Sequence, residues 1–89
     1  MNYKVIFDSC SHKNLQFAGF TFNGKPSSRL CNGLIMSRYA AVTIKKMLET
    51  LSNVNNVRIA KFDCTEGEKK SVNAENARLV NTENRFYSA

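Results

Sequence analysis

The chain has 89 residues, 43% hydrophobic and 22% charged, with 13 Lys and Arg against 7 Asp and Glu for a formal net charge of +6. A chain of this length buries roughly 60–65% of its unfolded surface, enough for one core and too little for a deep cleft beside it; the composition excludes wholesale disorder, and no apolar run approaches the ~18 residues of a membrane span. The whole charge excess precedes Glu49, where Lys4, Lys13, Lys25, Arg29, Arg38, Lys45 and Lys46 oppose Asp8 alone, an asymmetry that favours an anionic partner.

Residues 3–8 alternate, with Tyr3, Val5 and Phe7 on one side, and predict a strand. A polar stretch at 9–14 leads to a second strand over 15–22. Strict alternation places Ala18, Phe20 and Phe22 on one face of it and Leu15, Phe17 and Thr21 on the other. Gly19 marks a bulge or a close backbone approach. Asn23-Gly24 and Asn32-Gly33 read as turns, the first of type I′ with both residues at positive φ. Between them residues 25–31 form a weak strand, with Pro26 suited to a sheet edge. Residues 34–36 are a short strand-like piece.

Ser37 is a good N-cap for a helix over 37–52. Ala40, Ile44, Met47, Leu48 and Leu51 follow the spacing of one buried face, and Arg38, Lys45, Lys46 and Glu49 fall on the other. Asn53 suits a left-handed close to the helix. Residues 57–64 read as a strand and 65–70 as a charged loop. Residues 71–80 are compatible with a helix capped by Ser71 or, over 77–80, with a strand. Arg85-Phe86-Tyr87 is a candidate final edge strand. The expected fold is therefore a single α+β domain over residues 1–89: an antiparallel sheet of three to five strands, ordered β-β-β-α-β-β, with one amphipathic helix on one face. Four phenylalanines (Phe7, Phe17, Phe20, Phe22) cannot all reach one side of an alternating sheet. Either the second face carries aromatics, or the C-terminal segment or a second chain covers it, so a dimer is one option.

Candidate chemistry is sparse. Cys10, His12, Cys31 and Cys64 are numerous enough for tetrahedral zinc, but their spacing lacks the close pairs of compact zinc sites, so no metal is expected. Three cysteines without a close pair argue against a secreted disulfide scaffold. Cys10 and His12 could pair with Asp8 as an orienting third group, but such close clustering reads better as a polar loop, and no oxyanion donors are evident. The four glycines form no phosphate-binding motif. No enzyme activity and no cofactor are expected. Phe17-Ala18-Gly19-Phe20-Thr21-Phe22 superficially resembles the aromatic strand of an RNA-recognition motif, but the basic residue before the glycine is missing and the order of elements differs. Residues 1–8 are too short and polar for a signal-peptide core, and a cytoplasmic location is expected, with no membrane partner.

These readings favour a small non-enzymatic binding protein that inhibits or modulates a larger protein, or a protein–nucleic-acid complex, of a host cell. Eleven asparagines accompany the lysines, a compositional association with AT-rich genomes. The compact Asn-rich chain is similar in style to anti-defence inhibitors of phages and mobile elements, including the anti-CRISPR type, although no diagnostic residue carries that likeness. The alternative is an RNA- or single-strand-DNA-binding module that stacks bases on exposed sheet aromatics. For either reading Lys13, Lys25, Arg29 and Arg38 are the candidate binding residues, because they lie in or beside strands and loops.

Overall fold

The computed structural model describes residues 1–21 and 23–88, with 81–88 as helical backbone; the expected place of Phe22 lies outside the described residues. The elements run β1 (Tyr3–Ser9), β2 (Leu15–Phe20), β3 (Pro26–Arg29), α1 (Arg38–Glu49), β4 (Val54–Lys61) and α2 (Glu66–Ser88). Four strands form one antiparallel sheet in the order β3-β2-β1-β4. Pro26 opens an edge strand, where its missing donor costs nothing.

The expected α+β class and the order of the first five elements hold, and the sixth differs. Residues 66–88 are helical, so the expected loop at 65–70 is the start of α2, and Arg85-Phe86-Tyr87 continues a helix instead of adding a strand. Thr65 caps this helix, its Oγ1 accepting from Glu68 N at 3.1 Å. Glu66 and Glu68 then sit in the first turn, where the helix dipole favours acids. β4 begins three residues earlier than expected.

Two bulges set the faces of the sheet. In β2 the register against β3 steps from Phe17–Ser28 to Gly19–Ser27, leaving Ala18 as the extra residue. Phe17 and Phe20 therefore share a face that strict alternation denies them, with ring centroids 5.0 Å apart in an edge arrangement. The second bulge lies in β4, between the pairings of Ile6 with Arg58 and of Asp8 with Asn55, and Asn56 there has φ 52°. On the shared face Val5, Phe7 and Phe17 pack with Met36, Ala41, Leu48 and Val54 into the main core, bordered by Phe20, Ile44 and Ile59. α1 covers this face over β1 and β4. Ser37 Oγ accepts from Ala40 N (3.3 Å), as expected of the N-cap. Thr50, not Asn53, ends the helix: it has right-handed φ/ψ and donates its hydroxyl to Met47 O at 2.7 Å.

β1 and β2 pair only through Ile6–Gln16 and Phe7–Leu15. Where that pairing stops, residues 34–36 take over. Leu34 N donates to Phe17 O (2.8 Å), and Tyr3 and Met36 exchange two backbone bonds (2.8 and 2.9 Å). Gly33 permits this approach, since a Cβ there would lie 2.4 Å from Gln16 Cβ.

The second face is covered by α2, which packs against β2. Of the two covers considered for this face, the C-terminal segment is the one found. Asn73, Asn76 and Val80 face inward at i, i+3 and i+7. Asn73 grips the backbone of Ile35 from both sides, accepting from its N and donating to its O, each at 2.9 Å. Asn76 is fully buried; it donates to Asn32 O (3.0 Å) and accepts from Arg29 Nη1 (2.8 Å). Val80 Cγ2 lies 3.4 Å from where a Cβ on Gly19 would stand.

Candidate interaction surface

The structure separates the four expected binding residues. Lys13 lies exposed in the β1–β2 turn and Lys25 exposed in the β2–β3 turn, at opposite ends of β2. A six-residue strand spans about 20 Å. Arg29 ends β3 beside Gln16, at the Lys13 end, and its guanidinium turns to α2, meeting Asn76 Oδ1, Asn32 O (3.4 Å) and Glu75 Oε1 (3.8 Å). It fastens α2 to the sheet. Arg38 follows the Tyr3–Met36 bridge into α1 and is exposed, at the Lys25 end. Two ends of the sheet thus carry Lys13 with Arg29 and Lys25 with Arg38, and the four do not form one patch.

Among the described residues, the strand phenylalanines Phe7, Phe17 and Phe20 do not offer a stacking platform. Phe7 and Phe17 are buried beneath α1, and Phe20 packs against the same core. Among the described aromatics Tyr39, on the helix itself, is the most exposed, ahead of Phe62 at 38%. Tyr39 is 86% exposed and Met47 47% exposed. At one and two further turns from Tyr39 they share the outward stripe with Thr43 and Lys46. Spacing alone put Met47 on the buried face, but Ala41 and Leu48 set the inward direction, and Met47 falls about 100° from Leu48. Tyr39 was legible in principle as a large aromatic off the apolar stripe of an amphipathic helix. Arg38 and Lys46 flank it with exposed positive charge, while Lys45 is engaged with Glu49 at 3.2 Å.

Two charged groups inside the sheet serve the fold. Asp8 Oδ1 accepts from Asn14 N (2.9 Å) and Arg58 Nη1 (3.3 Å), and Oδ2 accepts from Asn56 Nδ2 (3.3 Å). Arg58 Nη2 also donates to Asn14 Oδ1. The Asn14 backbone donor, then Asn56 and Arg58, hold the Asp8 carboxyl below its ordinary range. Lys4 is nearly buried on the second face, with Nζ 3.3 Å from Gln16 Oε1 and 4.0 Å from the centre of the Phe62 ring. Burial lowers its pKa against the raising influence of Cys31 and Cys64.

A groove of about 360 Å³ opens at the Lys13 end of the sheet. Phe7, Leu15 and Val54 form its floor, and Ser9, Ser11, His12, Ser28 and Leu30 stand around it. His12 Nδ1 lies 3.0 Å from Ser11 Oγ. Among the described residues no three His, Cys, Asp or Glu side chains converge on a metal-sized site, and no helix is long and apolar enough to cross a membrane.

No family model, curated protein or solved structure matches the chain. The surface itself is therefore the basis for a functional reading.

Proposed function

We propose that this protein works by binding: it is a small non-enzymatic inhibitor or modulator that occludes a larger host protein, with the outward stripe of α1 as its contact surface. The observation that carries the reading is Tyr39, 86% exposed at the start of α1, with exposed Arg38 next to it in the chain and exposed Lys46 and Met47 two turns further along the helix. Tyrosine, methionine and arginine are enriched in interface cores, and a large side chain with few rotamers loses little entropy on docking. The partner that fits is a protein with an apolar pocket rimmed by Asp and Glu, since the chain carries +6. A buried aromatic core under α1 leaves the nucleic-acid alternative without base stacking on Phe7 and Phe17.

The test is affinity capture from host lysate by the tagged full chain, with nuclease, alongside the Tyr39→Ala/Met47→Ala variant. The expected result is one stoichiometric protein retained by the wild type despite nuclease and lost by the variant. Equal capture by both removes α1 from the interface. Loss of every partner on nuclease treatment sinks the protein-inhibitor reading and favours nucleic acid.

A further inference from the structure

We propose that the groove beside the β1–β2 turn binds an apolar carboxylate, either a small aryl or alkyl acid or the C-terminal residue of a peptide. Its volume of about 360 Å³ lies within the range of small-ligand sites, which pair an apolar lining with a few placed polar groups. Phe7 and Val54 are almost fully buried yet line the groove, so they present a fixed apolar floor. Ser9, Ser11, Ser28 and His12 line the groove as well; the Ser9 hydroxyl is held within the turn, accepting from His12 N at 3.1 Å, so His12 and Ser28 are the polar groups left for a ligand. When Ser11 Oγ donates to His12 Nδ1 at 3.0 Å, Nε2 carries the ring proton and is a donor for a ligand. Ser28 lies on an exposed position of an edge strand, so its hydroxyl is available. None of the lining residues is acidic, and Lys13 adjoins them in the same turn. Arg29 lines the groove too, but its guanidinium is held by Asn76 on the α2 side and is not assigned to the ligand. Two donors, His12 Nε2 and the Ser28 hydroxyl, with no carboxylate beside them and an apolar floor below, suit a ligand that brings its own negative acceptor on an apolar body. This site is separate from the α1 stripe and does not depend on it.

The test titrates the isotope-labelled full chain with N-acetyl-phenylalanine and with its uncharged amide, following backbone amide signals. The acid is expected to shift Ser9, Ser11, Leu15, Ser28 and Leu30 saturably, and the amide to bind at least tenfold more weakly. His12→Ala is expected to weaken the acid about tenfold, the share of one charge-assisted hydrogen bond. Ser28→Tyr fills the groove from the edge strand and is expected to abolish the saturable shifts with an unchanged circular dichroism spectrum. Comparable affinity for 3-phenylpropanoate assigns the site to a small acid; tighter binding of a short peptide ending in Phe assigns it to a chain terminus. Equal effects of acid and amide, shifts centred elsewhere, or no saturable shift at millimolar acid overturn the proposal.

Discussion

Asn76 is fully buried with its amide divided between Arg29 Nη1 and the carbonyl of Asn32. Asn76→Ala removes both bonds, leaving Arg29 and the Asn32 carbonyl their longer mutual contact at 3.4 Å, and a loss of about 2 kcal/mol is expected, a fall in Tm of roughly 8–16 °C for a domain of this size; urea unfolding checks it. Asp8 and Lys4 act through pH with distinct signs. The Asp8 carboxyl is depressed on folding, so its contribution is present above the unfolded carboxylate range near 3.9 and disappears as pH falls through the folded value. Asp8→Asn is therefore expected to flatten the acid limb of stability against pH below about 4. Lys4 is depressed by burial, so the unfolded chain holds its proton to higher pH, and stability rises as pH climbs toward the ordinary lysine value of 10.5. Lys4→Met keeps an apolar stem against Phe62; it is expected to raise the Tm at neutral pH and to remove that alkaline rise. Asparagine abundance, compositional when read along the chain, has physical content here. Asn14, Asn32 and Asn56 occupy left-handed φ of 59°, 55° and 52°, which asparagine tolerates better than most residues.

At the scale of elements, α1 was the most legible part. Ser37 as cap and the inward Ala40, Ile44, Leu48 and Leu51 follow from helical period and cap chemistry. Leu48 is fully buried at the centre of that face, and Leu48→Ala is expected to cost about 2–5 kcal/mol in chemical denaturation. β2 was only half legible. Gly19 signalled an irregularity, but the direction of Phe20 depends on a one-residue bulge, and a one-residue step reverses every side chain after it. Gly19 has φ 128°, a conformation an L side chain rarely adopts. Gly19→Ala is expected to destabilise by about 1–3 kcal/mol, read from thermal unfolding. At the Asn23-Gly24 turn Gly24 takes the expected positive φ (76°), and its N bonds Thr21 O at 2.9 Å. α2 was ambiguous because its inward face is polar. Asn73 and Asn76 leave a weak apolar stripe, so periodicity had little to detect.

For the whole molecule, charge reversal separates surface from scaffold. Arg38→Glu with Lys46→Glu alters exposed positions only, so stability is expected to stay within about 0.5 kcal/mol, while capture of an acidic partner falls and loses its salt dependence. The same reversal at Arg29 is expected to unfasten α2, because that guanidinium is spent on Asn76 and Glu75; a drop in helical circular dichroism distinguishes the two outcomes. Composition and period alone determined the α+β class, the first five elements and the +6 excess of the N-terminal half. They act locally, through backbone preference and one-faced burial. The tertiary structure alone decided where that charge stands, because β2 holds Lys13 and Lys25 at opposite ends and Arg29 is consumed by α2. It also decided which described aromatic stands most exposed. A bulge turns Phe17 and Phe20 into one core, α1 closes over them, and Tyr39 is left outside, a result of contacts between residues far apart in the chain that no local pattern encodes.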